Sequence, residues 1–299
     1  MWGNRIMTSY HFLIDPFIEF SFMQRALWGC VVLSLSATPI GVFLTLRKMS
    51  LTGDAMSHAI LPGAAIGFLI SGVSVIAMTI GGVVAGCIVA GLSGLVARHT
   101  KIGEDSSMAA FYLMSLALGV IIISSKGSNL DLLHVLFGST LALNNDALIL
   151  ITIIASVTLC ILAILYRPIV LECVDPAFFK TISRLSSVAH FSFLFLLVLN
   201  LVAGFHALGT LMAVGLMVLP ATIAQFWSKQ LRSMLIIAFI IAALSCYLGL
   251  ILSYYFSFAT SPAIVLVMGV FYLLSLFFGS QSGFISNHVL KLQTGKKHV

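Results

Sequence analysis

Long stretches free of Asp, Glu, Lys and Arg, separated by short charged clusters, make up most of this chain. A helix needs about 20 apolar residues to cross a bilayer, and residues 26–46 supply one such run, Pro39 included. Residues 55–97 are long enough for two helices, with Ser71-Gly72-Val73-Ser74 as the natural turn. Residues 106–125 and 147–166 supply one each. Residues 185–228 hold two, broken around 204–209, and residues 233–279 hold two more, divided near 257–262. The pattern predicts an all-α polytopic membrane protein of about 8–9 transmembrane helices, or about ten if the N-terminal segment inserts.

Composition agrees. Of 299 residues, 60% are hydrophobic and only 8% charged, where a soluble domain carries about 25% charge. The net charge of +6 is small, and no basic run is interleaved with aromatics, so nucleic acid is not a predicted partner. Lys and Arg report orientation instead. Alternating spans gather Arg47, Lys48, Arg98, Lys101, Arg167, Lys180, Arg184, Lys229, Arg232, Lys291, Lys296 and Lys297 on one side. The other side receives Arg5, Lys126 and at most Arg25. The richer side is read as cytoplasmic. A nine-span count then puts the C-terminus inside and the N-terminus outside.

Residues 1–25 lack the build of a secretory signal and are read as an interfacial segment. Residues 26–280 form the transmembrane domain, and 281–299 a cytoplasmic tail. Cys30, Cys87, Cys160, Cys173 and Cys246 show no pairing or thiolate-ligand spacing.

Candidate chemistry concentrates in Gly53-Asp54-Ala55-Met56-Ser57-His58-Ala59-Ile60-Leu61-Pro62-Gly63, at the mouth of the second span. Residues four apart share a helix face, so Asp54 and His58 can address one small cation. The plainer alternative makes Asp54 a helix cap and His58 a partner of a backbone carbonyl. Asp131 and His134 lie three apart on a short helix predicted near 130–137, where solvated surface residues are the preferred account over a metal entry site. Ile60-Leu61-Pro62-Gly63 is echoed by Val218-Leu219-Pro220-Ala221 on a span of opposite direction, compatible with an inverted repeat.

A loop over about 167–187 is the longest on the basic side. Asp175 suits a helix N-cap and Pro176 the first helical position, predicting a short helix over 176–185 with Lys180 and Arg184 four apart. Phe178, Phe179 and Ile182 would then lack a core of their own chain, and would dock on another protein or lie in lipid. The chain contains no G-x-x-x-x-G-K-[ST] phosphate loop, so ATP-driven transport would require a separate ATPase. His11, His99, His190, His206, His288 and His298 are isolated in the sequence and read mostly as interfacial.

Together these segments resemble the permease subunits of bacterial metal-type ABC importers, the zinc/manganese (sometimes iron) uptake family. The resemblance rests on Met23-Gln24-Arg25-Ala26-Leu27, the run from Leu46 to Gly63, Gly127-Ser128-Asn129-Leu130-Asp131-Leu132-Leu133, and Tyr166-Arg167-Pro168. His206-Ala207-Leu208-Gly209-Thr210-Leu211-Met212, Leu219-Pro220-Ala221 and the run from Ser261 to Val267 complete it. It implies a type II importer-like fold in a homodimer or heterodimer within the bacterial cytoplasmic membrane. It also implies a cytoplasmic ABC ATPase dimer, an extracytoplasmic metal-binding protein and no permanently bound cofactor, Zn²⁺ or Mn²⁺ being cargo. The family's metal gate maps onto Asp54 and His58, and its ATPase-coupling segment onto Asp175, Pro176, Phe178, Phe179, Lys180 and Arg184. Mixed nitrogen and oxygen ligands suit Zn²⁺ or Mn²⁺. The alternative is a gradient-driven secondary transporter or channel for divalent cations. It would predict carboxylates deep in several spans, where the sequence has none.

Overall fold

The computed structural model describes residues 15–72, 74–125 and 143–281. A helical turn over 15–19 leads into twelve helices. These are α1 (Ser21–Leu46), α2 (Ser50–Ala59), α3 (Leu61–Ser71), α4 (Val75–His99), α5 (Glu104–Ser125) and α6 (Asn145–Ile164). There follow α7 (Tyr166–Val174), α8 (Pro176–Ile182), α9 (Leu185–Leu208), α10 (Thr210–Trp227), α11 (Leu231–Phe256) and α12 (Thr260–Phe278). Among the described residues, nine stretches are long and apolar enough to cross a membrane, with α2 and α3 together forming one of them.

The predicted turns hold, for identifiable reasons. Between α9 and α10 the chain reverses at Gly209, whose φ of +84° is open to glycine at no steric cost. Asn144 caps α6 by accepting from the Ala147 N–H at 2.8 Å. Several boundaries moved by two residues, and two by five. The first span begins at Ser21, taking Arg25 into the helix, and the second begins at Ser50, so Asp54 is a residue of the helix body and not its cap. The helix 130–137 predicted around Asp131 and His134 lies outside the described residues.

Proline acts differently at the two echoed sites. Pro62 stands at the start of α3, where it has no N–H for the His58 carbonyl, and the helix is interrupted at Ile60. Pro220 sits inside an unbroken α10.

Two helices form the centre: α1 and α9 are 67% and 72% buried along their spanning windows, against 22–28% for α4, α5 and α12. α1 packs against α6, α9, α10 and α11, while α9 packs against α4, α6 and α10. Across α9 and α6 the Asn200 amide donates to the Thr158 hydroxyl at 2.9 Å, tying two central helices by a buried polar bond. The α3–α4 hairpin is set at the rim by small residues. A Cβ at Gly63 would run into the Gly81 carbonyl oxygen, and one at Gly67 into the Ala77 carbonyl oxygen. Such small-residue faces let helix backbones meet without a water-driven force.

The alternation of spans is visible in their contacts. Ends assigned to the basic side meet there: Arg47 with Glu104, Arg98 with Glu172, and the Trp227 indole with Ser275. At the opposite end the Ser261 hydroxyl donates to the Leu208 carbonyl at 2.7 Å.

The packing yields a prediction. Gly63→Ala should lower the thermal midpoint of the detergent-purified protein, overpacking of this kind costing about 1–3 kcal/mol. Gly91→Ala, whose new methyl meets nothing within 4 Å, should leave it in place; melts followed by size-exclusion fluorescence would read both.

Candidate metal gate and the ionic network beside it

Helix α2 is amphipathic in an unusual sense. Thr52, Gly53, Met56, Ser57 and Ala59 are buried against the rest of the chain, while Leu51, Asp54 and His58 fall on the uncovered face. The Asp54 side chain is 67% exposed and that of His58 35%, with Asp54 Oδ1 and His58 Nε2 4.0 Å apart. Ser57 turns away and donates to the Asp54 carbonyl at 2.7 Å. At 1.5 Å rise per residue, the acid lies roughly 6 Å and the imidazole roughly 12 Å from the start of the helix. The break after α2 is held by α5, whose Ser115 hydroxyl donates to the Ala59 carbonyl at 3.0 Å.

The pair is chemically incomplete by itself. Two ligand atoms about 2.1 Å from one tetrahedral ion sit about 3.4 Å apart, a separation that rotation of two exposed side chains reaches. Two donors do not hold a divalent cation, however, and among the described residues no group of three or more His, Cys, Asp or Glu side chains is placed to hold one.

The predicted coupling segment is more helical than a loop. Tyr166–Val174 forms α7, and Asp175 caps α8 by accepting from the Phe178 N–H at 2.9 Å, with Pro176 in the first turn as predicted. Two expectations need correcting. α8 ends at Ile182, so Arg184 does not share its face with Lys180; it stands at the N-terminus of α9. Phe179 is not without a core: it is 7% exposed and joins the main cluster, whereas Phe178 is 57% exposed and Ile182 66%. Lys180 reaches back to donate to the Arg98 carbonyl at 3.4 Å.

Behind α8 lies a feature that sequence reading missed. Glu172, 3% exposed on α7, accepts from Arg98 Nη2 at 2.7 Å and from the Ser186 hydroxyl at 2.7 Å. Arg98 also donates to the Ser187 hydroxyl at 2.7 Å, so the end of α4 is fastened to α7 and α9. His190, read as an isolated interfacial histidine, is instead buried between Glu172 (3.8 Å) and Glu104 (3.5 Å), with Arg47 Nη2 2.9 Å from its Nδ1. Arg47 also pairs with Glu104 at 3.3 Å. The next residue, Asp105, accepts from the Thr52 hydroxyl of α2 at 3.2 Å. These charges flank separate spans, so along the chain each looks like an ordinary loop charge; the only sequence cue is that acids as well as bases occur on the basic side.

Asp105 also connects two openings. It lines a cleft of about 240 Å³ with Thr52, Asp54 and Tyr112, and a second of about 500 Å³ with Arg47, Glu104, Glu172 and Cys173. Burial pushes the Cys173 thiol up to about 12, so the free thiol stays protonated.

Among the described residues nine stretches are long and apolar enough to cross a membrane, so the fold is that of a polytopic membrane protein. The chain belongs to the ABC 3 transport family, matching it over residues 19–279. It is similar to the manganese transport system membrane protein MntC of Halalkalibacterium halodurans, 30% identical over 94% of this chain and 96% of that protein. It is likewise similar to the manganese import system permease protein ScaB of Streptococcus parasanguinis, 33% identical over 88% and 93%. Among solved structures, PsaBC from Streptococcus pneumoniae in complex with Fab matches with a TM-score of 0.80 at 30% identity, over 96% of this chain and 100% of that one. The fold and family make this chain a permease subunit.

Breaking a buried ion pair from one side typically costs about 3–5 kcal/mol because the abandoned charge stays buried. Arg98→Ala should therefore strand Glu172 and cut the yield of folded protein sharply. Arg184→Ala, at an exposed position, should not; comparing monodisperse yields from matched membranes checks both.

Proposed function

We propose that this chain forms the pore of an ATP-driven importer carrying a divalent transition metal, manganese foremost, into the cytoplasm. The observation that carries the reading is the Asp54–His58 pair. Asp54 lies one turn inside a spanning helix, where a 67% exposed carboxylate is favoured facing water or a partner subunit over lipid, and ionisable groups within spans commonly mark ion pathways. A second permease copy, identical or related, related by a two-fold axis would bring two carboxylates and two imidazoles together. That donor set suits Mn²⁺ or Zn²⁺, and the manganese names of the relatives favour the former. The ion is cargo, so the grip must be brief: strong enough to admit it and weak enough to release it.

The remaining partners follow from the same scheme. The excess of Lys and Arg supports a cytoplasmic placement for the basic end and the C-terminus, in the bacterial cytoplasmic membrane with its lipid around the outer helices. There Phe178 and Ile182, projecting from a helix whose Phe179 is anchored inside, offer an apolar ridge to a separate ATPase dimer. Asp175 and Pro176 start that helix, and Lys180 and Arg184 supply charge at its edge. An extracytoplasmic metal-binding protein would deliver the ion from the far side.

Two outcomes test this. Asp54→Ala and His58→Ala should each reduce manganese uptake in cells to background while the complex still purifies intact; normal uptake in both would remove the gate. Phe178→Asp should lose ATPase capture during co-purification without loss of the permease, whereas Phe179→Asp should lose the folded permease itself.

A further inference from the structure

The gate on α2 and the docking helix α8 lie in different parts of the chain, yet a continuous line of side chains joins them. From α8 and α7 it runs through Arg98 and Glu172 to Ser186 and, one turn on along α9, His190, then to Arg47 and Glu104, and through Asp105 to Thr52, two residues before Asp54. One step in this line is unfinished. Arginine can only donate, so the 2.9 Å contact from Arg47 makes His190 Nδ1 an acceptor and places the ring proton on Nε2. Nε2 faces Glu104 Oε1 at 3.5 Å, and each of these buried atoms lacks a hydrogen-bond partner. Buried polar groups are rarely left so. Here a donor and an acceptor are aimed at each other and stop just short of bonding.

We propose that the His190–Glu104 contact is the variable link of the transport cycle. Displacement of α7–α8 by the ATPase, passed from Glu172 through the Ser186 hydroxyl to α9 and so to His190, closes or reopens the Nε2–H···Oε1 bond and so shifts α5 and, through Asp105–Thr52, the gate helix. The charge pattern fits such a role. Two arginines and two glutamates balance around a neutral ring, with Asp105 the one further acid on the side toward the gate, so the core of the network can rearrange without exposing a net charge. His190 is a positioning residue: it acts on the gate through Glu104 and touches no cargo. The inference rests on the proposed docking of the ATPase at α8 and gating at Asp54 and His58.

The test uses the permease assembled with its ATPase and binding protein in liposomes, with Mn²⁺ uptake and ATP hydrolysis measured together. His190→Phe keeps a ring but removes both nitrogens, and should lower the manganese ions moved per ATP at least ten-fold while hydrolysis stays within about two-fold. His190→Gln, which restores a donor near the Nε2 position, should recover at least half of the ratio. Glu104→Gln, which keeps the volume but cannot hold Arg47 and His190 as a carboxylate does, should lower the ratio in the same direction. Spin labels at Leu51→Cys and Lys180→Cys should show a distance change on nucleotide binding that His190→Phe abolishes. An unchanged ratio, or uptake and hydrolysis falling together without rescue by glutamine, overturns the proposal. Failure of the unmutated assembly to transport Mn²⁺ would instead overturn the functional reading beneath it.

Discussion

Hydrocarbon gives an ionisable group no partner, and this constraint orders the whole molecule. Each charge near the spans must be paired within the protein or must face water or another subunit. Arg47, Arg98, Glu104 and Glu172 take the first course, closing on one another around His190 beneath a bundle whose outer helices are aliphatic. Asp54 and His58 do not. They stand 4.0 Å apart on the uncovered face of α2, bonded to nothing else that would account for them. The contrast is between charges paired with one another inside the protein and an acid–imidazole pair left on an open face.

The spans were legible because their signal is local. A run free of charged residues declares a helix whatever it packs against, and breaks such as Gly209 follow from backbone freedom at one position. The Asp54–His58 pair was legible for the same reason: its members lie one turn apart on one helix, so spacing alone brings them to one face. The cap at Asp175 and the first-turn position of Pro176 were local too. What failed were the judgements on Phe179 and His190, which needed distant neighbours. Phe179 finds its core on other helices, and His190 acquires four charged neighbours from α1, α4, α5 and α7, none near it in sequence. Spacing could not reveal that meeting.

The break at Ile60 gives α2 a particular mechanical character. α2 has ten residues, is separated from α3 at Pro62, and is fixed at its far end by the Ser115–Ala59 bond. Beyond that point α3 is locked to α4 by the glycine crossing at Gly63 and Gly81. A short rigid segment between a tight turn at Lys48, with φ of +59°, and a proline break is a natural lever. In the gating proposed above, tilting it would move Asp54 and His58 together, preserving their mutual spacing.

Under the proposed gating, that arrangement accounts for the acid and the imidazole sitting on the half-helix next to the ionic network and not on α3. A ligand pair on the locked hairpin would be held at constant geometry, binding the ion but unable to let it go. On α2 the pair is one side chain removed from Asp105, through Thr52, and Asp105 borders both the cleft beside Asp54 and the larger cleft beside Glu172. Grip and release can then be set by a small change in tilt, because two such pairs across a symmetry axis part by twice the movement of either one. A docked ATPase, through α8, would need to supply only that displacement, and the bilayer-facing helices could remain where their packing holds them.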